Sequence, residues 1–153
     1  MAKKVILWIC TLFTAGMIFF FSAQQAPESA ALSGSITEAI LEKIPSYREL
    51  TSERQAAVVN IIQEAIRSLA HFSTFLVLGF FVIQLLLCYS VKYSYGIAIA
   101  ICVIYAVTDE LHQGFFSAGR ACEFIDLVKD WSGSIVAIFG VALFQKSKSQ
   151  RDR

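Results

Sequence analysis

The sequence predicts an all-α integral membrane protein: one domain over residues 1–153, with four transmembrane helices and a polar pocket at the outer-leaflet side. Three observations lead there. The chain of 153 residues is 56% hydrophobic with thirteen phenylalanines and has a mean hydropathy of +0.61, more apolar than a soluble domain of this size. Its apolar residues gather in four runs of about 16 to 22 residues, the length a bilayer-spanning helix needs. Ionisable side chains then sit at the ends of these runs, above all in Asp109-Glu110-Leu111-His112-Gln113 and at Arg120, Asp126 and Asp130. Charge at membrane depth is costly and by default marks a functional site.

The first run, Val5 to Phe21, has the basic start and apolar middle of a signal peptide. It exceeds the usual apolar core of such a peptide and no A-x-A-like site follows Phe21, so it is read as an uncleaved span. Residues 22–68 form an extracytoplasmic segment with amphipathic helices. Ser35 with Glu38 makes a capping-box signature for a short helix through about Ile44, which Pro45 ends. Ser52 with Gln55 makes a second, and no breaker follows until the Tyr89 region. A helix of about 37 residues measures roughly 55 Å, beyond the roughly 30 Å hydrocarbon core, so its first third projects from the bilayer. There Val58, Val59, Ile62, Ile66 and Leu69 recur at helical spacing as a packing face, opposite Asn60, Glu64, Arg67 and His71.

The second span is Leu69 to Tyr89. The third runs from Tyr93 through Thr108 to about residue 110, and the fourth from Phe124 to Gln145. Lys3 and Lys4 precede the first span, Lys92 lies between the second and third, and Lys146, Lys148, Arg151 and Arg153 follow the fourth. An even number of spans puts these on one side, and the positive-inside rule makes that side the cytoplasm. Seven Lys/Arg and one acid, Asp152, then lie inside, against six Lys/Arg and eleven acids outside. Both termini are expected to be cytoplasmic, in a multi-pass protein.

A net charge of +1 without a basic face argues against nucleic acid as a partner. Cys10, Cys88 and Cys102 lie in or beside apolar runs and Cys122 faces outward; no disulfide framework or C-x-x-C motif is present.

The chemistry follows from a shortage of apolar length. In the fourth span the purely apolar stretch, Trp131 to Phe144, covers only about 21 Å, which draws Asp126, Lys129 and Asp130 toward the membrane. The third span brings Asp109 and Glu110 to the outer boundary, and the first ends in Ser22 and Gln24. Because lipid-exposed charge is disfavoured, these groups should turn toward one another. Asp109, His112 and Gln113 share a helix face, as do Asp126 and Asp130 with Gly133 or Ser134, and Arg67 with His71. Gly133 reads as a close-packing position between helices. Arg120 reads equally as a clamp on Asp126 or Asp109 and as a ligand binder.

The ligand-binding set is therefore Ser22, Gln24, Arg67, His71, Asp109, Glu110, His112, Gln113, Arg120, Asp126 and Asp130. Should the pocket be catalytic, His71, His112, Asp109 and Glu110 are the candidate acid/base groups. His71, His112 and the acids carry enough N and O donors for a divalent ion, but no dedicated spacing such as H-E-x-x-H exists, so neither metal nor cofactor is expected. No G-x-S-x-G is present and Cys122 has no identifiable base.

At these residues the chain resembles the VanZ-like family of small bacterial membrane proteins, named for a teicoplanin-resistance protein. The resemblance covers nearly the whole chain. It rests on Phe21-Ser22-Ala23-Gln24, on Arg67 with His71-Phe72, and on Asp109-Glu110-Leu111-His112-Gln113 with Arg120, Asp126, Asp130 and Gly133. Where the family usually has a Lys before the His and a Tyr after it, Ser68 and Phe75 stand here. The resemblance implies a bacterial plasma-membrane protein associated with lowered susceptibility to teicoplanin, a glycopeptide with a lipid tail, without an established reaction.

Three functions compete. In the favoured one the outer-leaflet pocket binds a lipid-like or cell-wall-related molecule and contributes to lipoglycopeptide tolerance, with membrane lipids, the drug or a cell-wall precursor as partners. The second is a membrane-embedded hydrolase or transferase acting on a lipid-linked phosphate or sugar. The third, a small transporter, is disfavoured because Leu76 to Leu87 and Ile97 to Tyr105 contain no ionisable side chain to complete a path. Oligomeric state is left open.

Overall fold

The computed structural model describes residues 1–116 and 122–151. Helices α1 (Ala2–Ser22), α2 (Ala26–Leu41), α3 (Ser52–Cys88), α4 (Ser94–Phe116) and α5 (Phe124–Arg151) follow in order, with one 3-10 turn, Pro45–Tyr47, between α2 and α3. No strand occurs among the described residues. By length and composition α1, α3, α4 and α5 can each cross a membrane. Each overlaps one of the four apolar runs; Tyr89 and Tyr93 fall just outside α3 and α4, and α3 begins 17 residues ahead of Leu69.

The outward faces explain why the medium must be lipid. Val5, Ile9, Leu12 and Phe13 of α1, Ile104 of α4 and Phe139 and Leu143 of α5 are all more than half exposed, an apolar surface that water would not tolerate as a monomer. The inner faces pack around Phe75 and Ile83 of α3, Ala98, Cys102 and Ala106 of α4 and Ile138 of α5.

Helix α3 is the spine, touching each of the other four helices, with α5 as its most extensive partner. Small residues make that closeness possible. A Cβ on Gly133 would lie 2.2 Å from the Phe72 carbonyl oxygen, and one on Gly79 2.9 Å from Ser134 Cα, so the two backbones meet directly. Gly133 is thus the close-packing position its sequence context suggested. Hydrogen bonds add to the register: Tyr105 Oη donates to the Ala15 carbonyl at 2.7 Å, and Tyr95 Oη to Gln145 Oε1 at 2.9 Å. The short link between α3 and α4 holds two non-glycine residues at positive φ, Ser90 at 53° and Tyr93 at 61°, which lets the chain reverse within a few residues.

Three local expectations are corrected. Helix α2 begins at Ala26, not at Ser35. Its start is fixed by Glu28, whose carboxylate accepts the Gln25 backbone N–H at 3.2 Å, and by a proline in the first turn, where a missing N–H is harmless. Ser35 lies inside the helix and bonds the Leu32 carbonyl, and α2 ends at Leu41, short of Ile44. Helix α3 has the foreseen 37 residues, but Thr51 caps it, and Gln55 reaches the Tyr47 carbonyl at 3.2 Å. Leu69, assigned to the packing face, is 64% exposed; facing lipid costs a leucine nothing, so apolar periodicity near the bilayer does not imply protein contact.

Candidate functional site

Among the described residues, the buried acids Asp109, Glu110 and Asp130 gather at one end of the bundle, where α1 and α4 finish and α5 starts. Asp109 and Glu110 are consecutive on α4 and therefore point about 100° apart, which sends them to different neighbours. Asp109 faces α1. The Ser22 hydroxyl donates to its Oδ2 at 2.7 Å, while Gln113 Nε2, one turn on, donates to Ser22 Oγ at 3.0 Å and to Asp109 Oδ2 at 3.2 Å.

Glu110 faces α5 and accepts the backbone N–H of Glu123, just before that helix, at 3.1 Å through Oε2. Beside it, Nδ1 of His71 on α3 and Oδ1 of Asp130 on α5 share a hydrogen bond of 3.0 Å. Asp109, Glu110 and Asp130 are 4%, 1% and 0% exposed, yet each keeps a second carboxyl oxygen without a hydrogen-bond partner: Oδ1, Oε1 and Oδ2 respectively. Buried polar atoms are normally satisfied, so three orphan acceptors in one region require a reason.

The described cations supply little neutralisation here. Lys129 Nζ pairs with Asp126 at 2.6 Å and with Glu64 at 3.0 Å. Arg67 pairs with Glu64 across a half-exposed contact. That network forms a partly solvated rim, and surface pairs of this kind contribute about 0–1 kcal/mol each.

A cavity of about 170 Å³ opens beside the Asp109 group. Its lining is mixed: apolar side chains come from Ile18, Phe21, Leu32, Ile36, Ile66 and Phe75, and polar ones from Ser22, Gln24, Arg67, His71, Thr74, Asp109 and Gln113. Helix α2 closes one side with Ser29, Leu32, Ser33 and Ile36. Its contribution is absent from the sequence-based site, although the paired i,i+4 spacings Ser29/Ser33 and Leu32/Ile36 were the signal for it.

Six of the expected residues, Ser22, Gln24, Arg67, His71, Asp109 and Gln113, line this cavity. Glu110 and Asp130 form a buried group with His71. Asp126 turns to Lys129 at the rim. His112 makes no hydrogen bond to Asp109 or Gln113; its ring packs between Phe19 and Phe116, with centroids 4.4 and 5.2 Å away. Arg120, expected to clamp an acid or a ligand, lies outside the described residues.

The arrangement suits binding of an amphipathic molecule, since hydrogen-bonding groups and apolar side chains line the same cavity. Four spanning helices with a half-polar cavity at one end define a small multi-pass helical membrane protein. A family model described as VanZ/LLP1 matches residues 6–145, and the chain belongs to that family. No curated protein matches the chain, and no solved structure does.

Proposed function

We propose that this VanZ-family protein lies in the bacterial plasma membrane with both termini in the cytoplasm, and that its cavity binds the polar group of a lipid-like or cell-wall-related molecule at the outer leaflet. Binding there contributes to tolerance of teicoplanin-type lipoglycopeptides. The observation that carries this reading is the mixed cavity lining, which combines Arg67, His71, Ser22 and Gln113 with Leu32, Ile36 and Ile66. Such a lining matches a headgroup joined to a chain. The distribution of Lys and Arg supports the orientation, because Lys3, Lys4, Lys92, Lys146, Lys148 and Arg151 flank the ends of the spans remote from Asp109 and Asp130, and acids outnumber bases on the side of those two residues.

In this reading Arg67 attracts an anionic group, His71 and Gln113 hydrogen-bond to it, and Asp109 orients Ser22 and Gln113. Expression in a susceptible host should raise tolerance to teicoplanin more than to a tail-less glycopeptide. Arg67→Ala and Asp109→Asn should abolish the gain at equal protein level. Full tolerance in both variants would remove the cavity from the explanation.

A second reading, a hydrolase or transferase acting on a lipid-linked phosphate or sugar, is favoured by the adjacency of His71, Glu110 and Asp130, a set able to move protons. Purified protein that releases no phosphate or sugar from such lipids would exclude it.

A further inference from the structure

We infer that His71, Glu110 and Asp130 form a binding site for one divalent transition-metal ion. The inference goes beyond the lipid-binding reading and does not depend on it. Three different spans, α3, α4 and α5, each deliver one donor side chain, and their ligand atoms all lie within 4.8 Å of one another. Convergence from three helices is what a site built for an ion requires, whereas acids clustered by sequence proximity alone would come from one.

The unsatisfied atoms are a separate observation that points the same way. Glu110 Oε1 and Asp130 Oδ2 have no hydrogen-bond partner, and their residues are 1% and 0% exposed. Carboxyl oxygens held dry and unpaired are expensive, and coordination to a cation removes that cost. Charge counting among the described residues agrees: two carboxylates meet one imidazole, and Lys129, next to Asp130 in sequence, is engaged by Asp126 and Glu64.

Distances fit as well. Two atoms bound to one ion at about 2.1 Å stand about 3 Å apart at a right angle and about 4.2 Å apart across it. The 3.0 Å between His71 Nδ1 and Asp130 Oδ1, a hydrogen bond without the ion, matches the first arrangement; an ion taking both atoms replaces the shared proton, which is released to water, and the whole set lies within 4.8 Å. The flush contacts of Gly133 on Phe72 and Gly79 on Ser134 fix the register of α3 against α5, so His71 and Asp130 are presented at constant separation. One imidazole with two carboxylates suits zinc, manganese or iron in preference to magnesium. Three protein ligands also leave coordination positions open, and His71 belongs to the cavity wall.

The test uses the full chain in detergent, stripped with a chelator and titrated with Zn²⁺, Mn²⁺ and Mg²⁺ in the absence of drug or added lipid, so its outcome is independent of the tolerance assay. We expect one Zn²⁺ or Mn²⁺ per chain, with Mg²⁺ at least about tenfold weaker. Glu110→Gln and Asp130→Asn, nearly isosteric, should each weaken binding about a hundredfold or more, since even outer-shell changes cost about 10- to 100-fold. X-ray absorption on the zinc-loaded wild type should show an N/O shell with imidazole scattering, and this arm decides should the variants fail to fold. No stoichiometric ion in folded wild type, a shell without imidazole, or binding lost in His112→Gln but kept in Glu110→Gln would each overturn the inference.

Discussion

Replacing Gly133 by alanine tests the geometry on which the site depends. The added Cβ would lie 2.2 Å from the Phe72 carbonyl oxygen and 3.0 Å from the Leu76 nitrogen. Both are backbone atoms of α3 and cannot swing aside, so α5 must retreat by roughly 1 Å to restore a van der Waals separation. Phe72 follows His71 in sequence, and Asp130 lies one helical turn before Gly133, so the same retreat stretches the 3.0 Å His71–Asp130 bond to about 4 Å, beyond hydrogen-bonding range. Overpacking typically costs about 1–3 kcal/mol, and this contact belongs at the upper end. For a chain of this size that is a fall in thermal midpoint of roughly 6–12 °C, together with loss of tolerance. Gly140, on the same helix, has nothing within 4 Å of its Cβ position. Gly140→Ala should therefore be neutral or raise stability by up to about 1 kcal/mol. Thermal unfolding of both variants in the same detergent decides the matter: Gly133→Ala as stable as Gly140→Ala would refute the direct backbone contact and the register derived from it.

Other outcomes follow from single contacts. Ser22→Ala removes one of the two donors to Asp109 Oδ2 and should destabilise by about 1–3 kcal/mol, the range for depriving a buried acceptor of a partner, read by thermal unfolding; a change below about 0.5 kcal/mol would contradict the α1–α4 link. Lys129→Ala breaks two partly exposed ion pairs and should cost less than about 2 kcal/mol, at most about 1 for each pair, in the same measurement. Cys122 is exposed, but desolvation and the neighbouring Glu110 carboxyl push its thiol pKa up. A raised pKa means less thiolate at neutral pH, so labelling by an impermeant maleimide on intact cells should proceed slowly and accelerate as pH rises through the alkaline range, and Glu110→Gln should speed it at a given pH. Cys88, near the opposite end, should stay unlabelled; the reverse pattern would invert the topology.

The spans were legible because four long apolar runs admit little else in a bilayer, and the 37-residue length of α3 followed from the absence of any breaker between Ser52 and Cys88. The boundaries of α2 were harder, since Ser35/Glu38 and Gln25/Glu28 both offer capping patterns. The second prevails because a proline and an acid already occupy the first turn there. Periodicity told which acids share a helix face, but not which neighbour that face meets. Asp126 and Asp130 are i,i+4, yet Asp126 finds Lys129 at the rim while Asp130 finds His71 inside. His112, one turn from Asp109, packs on Phe19 and Phe116 and makes no hydrogen bond to Asp109 or Gln113. The three-helix donor set of His71, Glu110 and Asp130 has no linear spacing at all, which is why no metal motif could announce it.

The most direct test of the binding account is a high-resolution structure of the chain in nanodiscs formed from native lipid. The account predicts an elongated density along Leu32, Ile36 and Ile66 whose polar end lies within hydrogen-bonding distance of Arg67 or His71. A cavity holding only water, or closed by collapse of α2 onto Ser22 and Asp109, would contradict it.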